Sequence, residues 1–108
     1  SEITAPVFNI NRGDDAWIIS ARRGTIDDDN IWVTLNDDVV MLQKKTDNPI
    51  QLKTSKMRFN TRTQLAESDK QVDIIQGELS LKSNGMIYNN LSGKLELLAG
   101  VNGIYVKN

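Results

Sequence analysis

Hydrophobic residues recur at every second position along most of the chain. Trp17, Ile19 and Ala21 would share one face of an extended segment. Because successive side chains of a strand point to opposite faces, this alternation is typical of half-buried β-strands. The same spacing recurs at Ile31, Val33 and Leu35, Val39 and Met41, Ile50, Leu52 and Thr54, Val72 and Ile74, Leu79 and Leu81, Leu95 and Leu97, and Val101, Gly103 and Tyr105. The pattern predicts an all-β chain.

Turn-forming residues separate these apolar runs. They lie at positions 12–15, 27–30, 46–49, 76–77, 84–85, 89–90 and 102–103. Gly, Asn and Asp favour turns because they tolerate left-handed backbone conformations. The Asn-Gly pairs at 84–85 and 102–103 therefore predict tight hairpins. Both prolines, Pro6 and Pro49, fall at strand margins, where a missing N–H costs least.

An internal repeat of roughly 30 residues is the most informative feature of the chain. A shift of 33 residues places Trp17 on Ile50 and Ile19 on Leu52, and a further shift of 29 places these on Leu79 and Leu81. The same alignment superposes Ile26, Phe59 and Tyr88, and it superposes Trp32, Leu65 and Leu95 after a slip of one residue. A unit of two or three short strands cannot cover its own apolar face, so the repeat predicts units that stack and share one core.

Composition then excludes several classes of function. The chain of 108 residues has 13 Lys and Arg against 14 Asp and Glu, so it lacks the basic field that binds nucleic acid. It has neither Cys nor His, which removes most transition-metal sites, Cys nucleophiles and His-based triads. We therefore expect no enzyme, no metal and no cofactor. No apolar run is long enough to span a membrane as a helix.

Two acidic runs are candidate calcium ligands by composition only. The runs 27–29 and 37–38 lack the spaced ligands, glycine and closing Glu of a calcium loop, so we interpret both as solvated hairpin tips. Asn90-Leu91-Ser92 is a glycosylation sequon, relevant only in a host that glycosylates secreted proteins.

Three segments resemble the LptC family of Gram-negative bacteria in order and spacing. They are the strand 17–21 followed by Gly24, the stretch from Val39 through 52–54 to Phe59, and the stretch from Ser68-Asp69-x-x-Val72 to Ser83-x-Gly85-Met86-x-Tyr88 with the apolar positions that follow it. The resemblance covers residues 5–106.

The resemblance implies a single domain over 1–108 with a twisted, open, V-shaped β-jellyroll fold. It also implies a periplasmic protein, anchored to the inner membrane, that receives lipopolysaccharide from an ABC transporter complex and passes it to an LptA-like bridge protein by edge-strand pairing. Family members have a membrane helix and further strands before the segment that matches residues 6–8. We expect these to be absent here, which puts docking to the transporter in doubt for this chain.

Inward-phase residues are the candidate lining of a lipid groove. They are Trp17, Ile19, Ile26, Trp32, Leu52, Phe59, Leu65, Leu81, Tyr88, Leu95, Leu97 and Tyr105. Any one of them could equally belong to a filled core. The candidate docking edge for a partner comprises Gly85, Val101, Gly103, Tyr105 and Val106, because an open sheet edge is available for β-augmentation.

Two other functions remain open from sequence. The chain could be a structural module that joins end to end through edge strands without binding lipid. A carbohydrate-binding β-domain is a weaker alternative, since it would expose aromatic residues and most of the six aromatic residues here have the inward phase.

Overall fold

The computed structural model describes residues 1–98, 100 and 102–105, with the backbone alone for 102–105. This part of the chain contains no helix and forms one sheet of twelve strands, all paired antiparallel. The strands are β1 (Glu2–Thr4), β2 (Val7–Arg12), β3 (Asp15–Ser20), β4 (Arg23–Ile26), β5 (Trp32–Lys44), β6 (Gln51–Asn60), β7 (Leu65–Ser68), β8 (Val72–Gln76), β9 (Leu79–Ser83), β10 (Met86–Asn89), β11 (Lys94–Leu97) and β12 (Asn102–Tyr105).

The strands join into seven longer strands, most of them bent near the middle. β1 with β2 forms the first long strand and β3 with β4 the second, whereas β5 and β6 are each a complete long strand. β7 with β8, β9 with β10, and β11 with β12 form the fifth, sixth and seventh. In the described part, each long strand pairs with those before and after it in the chain. The fold is therefore a meander, and the repeat of about 30 residues is one upward and one downward long strand.

The bends fall at one level and divide the sheet along a fold line. On one side lie β2, β3, the second half of β5, the first half of β6, β8, β9 and β12, which we call the first half-sheet. On the other side lie β1, β4, the first half of β5, the second half of β6, β7, β10 and β11, which we call the second half-sheet. The two half-sheets fold over each other and enclose a shared core.

A β-bulge makes the bend in β5. Two residues, Asp37 and Asp38, stand opposite the single residue Ser55 of β6, and both have left-handed backbone, with φ of 66° and 50°. The Asp37 carbonyl accepts a hydrogen bond from the Arg22 amide at 2.9 Å, and its carboxylate accepts one from Arg23 at 2.8 Å. The prediction of a hairpin tip here was wrong. Because the pair sits inside a strand of 13 residues, the acidic residues turn the strand rather than end it.

Small hydroxyl residues complete the fold line. Thr54 is buried, and its hydroxyl bonds the Gln71 carbonyl at 2.9 Å and the Ser68 hydroxyl at 3.0 Å. The Ser83 hydroxyl donates to the Gly85 carbonyl at 2.8 Å. A bend interrupts the ladder and leaves backbone groups that need partners, and a small hydroxyl residue can provide one without filling space. This explains why Ala21, Thr54 and Ser83 take equivalent positions in the repeat.

The predicted turns are only partly correct. Gly13 and Gly77 lie in short hairpin turns with positive φ, and the 89–90 segment opens the loop between β10 and β11. The two Asn-Gly pairs do not form hairpins. Asn84-Gly85 connects β9 to β10 across the fold line, and these two strands pair with other neighbours. Asn102-Gly103 lies within β12. In both cases strand pairing determines the conformation and overrides the local turn preference.

Candidate functional site

The space between the half-sheets is apolar and packed. Its centre consists of buried residues from both sides, including Ile19 and Leu52 of the first half-sheet and Met57 and Met86 of the second. Two aromatic contacts bridge the halves. The Trp17 and Tyr88 rings lie 5.3 Å apart at 58°, and the Phe8 and Phe59 rings 5.9 Å apart at 55°. Tilted contacts at these separations are favourable beyond the area that they bury.

Strand register assigns the predicted groove residues to the two faces. Ile26 stands opposite Val33, which stands opposite Phe59, and Leu81 stands opposite the buried Ile74. Leu95 and Leu97 stand opposite Tyr88 and Met86. Nine of the candidates accordingly lie on the inner face: Trp17, Ile19, Ile26, Leu52, Phe59, Leu81, Tyr88, Leu95 and Leu97.

Trp32 and Leu65 do not lie on the inner face, so the inward assignment of these two residues was wrong. Trp32 stands opposite Asn60, one residue out of phase with the inward Phe59, and Arg58 covers its ring at 4.0 Å from the centroid. Leu65 stands opposite Asn89. The error came from the one-residue slip in the repeat, since a slip of one exchanges the faces of a strand. Constant shifts instead place Val33, Ala66 and Leu95 in one inward row.

Inner-face residues become more exposed toward the last strands. Ile19, Met41 and Leu52 are fully buried, whereas Leu81, Leu95 and Leu97 pack against the core and remain partly exposed. The apolar inner surface is thus accessible beside β9 and β11. The prediction for Tyr105 concerns a side chain outside the described residues; its backbone pairs with Leu79.

Two sheet edges are free in the described part of the chain. At one end β1 and β2 pair with β4 and β3 alone, and at the other β11 and β12 pair with β10 and β9 alone. Gly103 and Tyr105 belong to the second of these edges, and Val101 and Val106 lie outside the described residues. Gly85 is not an edge residue. It lies in the sixth long strand, where a Cβ would come within 2.6 Å of the Ser68 carbonyl.

Turns from the two half-sheets face each other across an opening that we call the mouth. The first half-sheet ends in turns at 13–14, 45–50 and 77–78, and the second in turns at 27–31, 61–64 and 90–93. One point of contact bridges them. The buried Asn90 side-chain amide donates to the Asn11 carbonyl at 3.1 Å, and Arg12 Nε donates to the Leu91 carbonyl at 3.2 Å.

Catalytic or metal-binding chemistry has no visible centre in the residues that the structure describes. These residues contain no group of three or more acidic, His or Cys side chains placed to hold a metal ion. No described helix has the length and apolarity needed to cross a bilayer. The arrangement offers an apolar interior and two free edges, which are means of binding rather than of reaction.

Comparison with protein families decides the assignment. The family described as lipopolysaccharide-assembly, LptC-related, matches residues 1–106. The chain belongs to the LptC family. Its fold is similar to the crystal structure of LptH, the LptA-homologous periplasmic component of the lipopolysaccharide transport device of Pseudomonas aeruginosa, with a TM-score of 0.66 and 9% identity over 99% of this chain and 94% of LptH. No sequence among curated proteins matches the chain significantly.

Membership of the LptC family gives the chain a role in lipopolysaccharide transport. Proteins of this family are periplasmic and act in transport rather than catalysis. The predicted open, antiparallel β-jellyroll is confirmed by the described strands and by the likeness to LptH. Sequence reasoning missed several inner-face residues, among them Phe8, Ile10, Val33, Leu35, Met57, Ala66 and Met86. Constant repeat shifts could have identified Ala66 from Val33. The contacts of Asn90 and Arg12 had no indication in the sequence pattern.

Proposed function

We propose that this chain holds the acyl chains of lipopolysaccharide between its two half-sheets. In this proposal it receives the lipid from an inner-membrane ABC transporter complex and passes it to a periplasmic bridge protein of similar fold. The observation that carries the proposal is the apolar inner face, which is fully buried at Leu52 and partly exposed at Leu81, Leu95 and Leu97. An acyl chain on this surface gains about 0.8 kcal/mol for each methylene removed from water.

The last long strand is the proposed exit. Its backbone has one unpaired side in the described part of the chain, and the partly exposed inner-face leucines lie beside it. A partner strand added to this edge would extend both the hydrogen-bond ladder and the apolar surface. The lipid could then move onto the partner without entering water. The first edge, β1 and β2, is the corresponding surface for the transporter side.

Anchoring at the inner membrane belongs to the same proposal and rests on the family resemblance alone. Fractionation of cells that express the natural gene tests it. Recovery with inner-membrane vesicles supports an anchored protein, and recovery in the soluble periplasmic fraction contradicts one.

Neighbouring residues on opposite faces allow a strict test of lipid binding. A photo-crosslinking amino acid at Leu81 or Leu95 points inward, and the same group at Lys82 or Glu96, one residue away, points outward. After incubation with lipopolysaccharide and irradiation, we expect lipid adducts at the two inward positions only. Equal labelling at all four positions, or none at any, would contradict the proposal.

A second candidate function is a structural assembly module, and the two free edges favour it as well. Such a module would associate end to end as its concentration rises and would be insensitive to lipid. Sedimentation velocity with and without lipopolysaccharide separates the two functions. Association that depends on concentration, together with unchanged sedimentation when lipid is added, supports the assembly module over the carrier.

A further inference from the structure

The contact across the mouth is a polar cluster at one corner of an otherwise apolar interior. Among the described residues, the hydrogen bonds that cross from one row of turns to the other lie at this corner. The cluster joins the first hairpin of the first half-sheet to the last hairpin of the second. These hairpins are far apart in sequence, and the twist of the sheet brings them together.

Asn90 is the centre of this cluster. Its side chain is 2% exposed, and its Nδ2 donates to the Asn11 carbonyl at 3.1 Å and to Gln64 Oε1 at 2.8 Å. Its Oδ1 accepts from the Tyr88 hydroxyl at 3.4 Å. The Asn11 contact crosses the mouth, whereas the other two hold the amide in place from its own half-sheet. Tyr88 in turn packs on Trp17 below, so the polar contact is continuous with the aromatic bridge.

Arg12 forms a second tie beside Asn90. Its Nε donates to the Leu91 carbonyl at 3.2 Å, and its Nη1 lies 3.4 Å from Asp15. Gly93 has a φ of 78°, and a Cβ there would lie 2.9 Å from Arg12 Nη1. The loop therefore leaves room for the guanidinium, which reaches over the mouth from one half-sheet to the other.

Polar ties of this kind can open more readily than apolar packing. Each group in them can exchange its protein partner for water, so the net contribution of one hydrogen bond to closure is small. An apolar contact between the turns would instead expose hydrophobic surface on opening. The interior beneath is filled by the Trp17 and Tyr88 side chains when the mouth is closed, so an acyl chain needs the half-sheets to separate there.

We propose that Asn11, Arg12, Asn90 and Leu91 form a mouth latch, whose opening admits acyl chains sideways between the half-sheets. This inference rests on the proposed lipid-carrying function. The latch sets how often the mouth opens, and the aromatic pair beneath it separates to make room for lipid.

A reversible staple tests the latch directly, because the natural chain has no cysteine. Arg12→Cys with Leu91→Cys, joined by a bifunctional maleimide with a reducible spacer, would hold the mouth closed. The matched control is Asn48→Cys with Gln76→Cys. The Gln76 side chain bonds the Asn48 carbonyl at 3.0 Å within one half-sheet, so this staple has similar local geometry and leaves the mouth free.

The readout is capture of lipopolysaccharide by a photo-crosslinker at Leu81. We expect the mouth staple to abolish most capture, reduction of its spacer to restore it, and the control staple to have no effect. Full capture by the protein stapled across the mouth overturns the latch and leaves the carrier function intact. No capture in unstapled protein overturns the carrier function, and the latch with it.

Variants that weaken the latch give the opposite test. Asn90→Ala and Arg12→Gln each remove a tie, and we expect lipid capture to become faster by roughly tenfold at most. Arg22→Gln is the control, since Arg22 also pairs with a nearby Asp and lies at the fold line. Thermal unfolding of each variant verifies that it is folded. Unchanged capture rates in folded Asn90→Ala and Arg12→Gln proteins overturn the latch.

Discussion

Trp17 and Tyr88 lie on opposite half-sheets, and their rings meet at 5.3 Å between centroids in the middle of the molecule. Both are nearly inaccessible to solvent, at 3% and 2% exposure. The contact holds the two halves together and occupies space that a lipid would need. Stability and transport therefore place opposing demands on this pair.

Removing one ring should cost much of the stability. Tyr88→Ala is expected to lower the free energy of unfolding by about 3–5 kcal/mol, because it leaves a cavity against Trp17. Tyr88→Phe keeps the ring and loses only the hydroxyl contact with Asn90, so it should cost about 1 kcal/mol. Urea denaturation of the three proteins measures both values. Equal losses for the two variants would show that the ring contact contributes nothing.

Gly85 should tolerate no side chain. A Cβ there would lie 2.6 Å from the Ser68 carbonyl oxygen and 2.9 Å from Leu98 Cδ1, and a backbone atom cannot easily move away. We expect Gly85→Ala to lower the free energy of unfolding by about 1–3 kcal/mol. Gly13→Asn is the control, because its turn is open and Asn tolerates its φ of 56°. Thermal melting of both variants gives the comparison, and a Gly85→Ala protein as stable as the Gly13→Asn protein would contradict the close approach.

The Thr54 hydroxyl should contribute to the fold line. Thr54→Val keeps the shape and leaves the Gln71 carbonyl and Ser68 hydroxyl without this partner, so a loss of about 1–3 kcal/mol is expected. Ser55→Ala, at the exposed neighbouring position, should change stability by less than about 0.5 kcal/mol. Chemical denaturation of the pair measures the difference. Similar values for the two substitutions would argue against a structural role for the hydroxyl.

The β5 bulge should depend on backbone conformation more than on charge. Asp37→Val places a β-branched residue at a φ of 66° and should cost about 1–2 kcal/mol. Asp37→Asn loses the ion pair with Arg23 and keeps a residue that accepts this conformation. Because both partners are about half exposed, that loss should be below about 1 kcal/mol. A larger loss for Asn than for Val, measured by denaturation, would reverse this order.

Sequence predicted the strand class, the repeat and most of the inner face. Period-two alternation depends on local geometry that every strand obeys, and nine of the eleven groove candidates whose side chains are described lie inward. Trp32 and Leu65 failed through register, which a single residue reverses. The Asp37-Asp38 bulge and the Asn84-Gly85 crossing failed because long-range pairing overrides local turn preference. The contacts of Asn90 join segments 79 residues apart, which no local pattern can indicate.

The corrected placement of the two tryptophans provides the most direct measurement of lipid binding in the interior. Trp32→Phe leaves Trp17 as a reporter between the half-sheets, and Trp17→Phe leaves Trp32 as a reporter on the outer face. Each protein is titrated with lipopolysaccharide and, as a control, with deacylated lipopolysaccharide, and tryptophan emission is recorded. Acyl chains between the half-sheets predict a saturable change at Trp17 with intact lipid only, and no change at Trp32. A change at Trp32 alone, or equal responses to the deacylated molecule, would contradict the account.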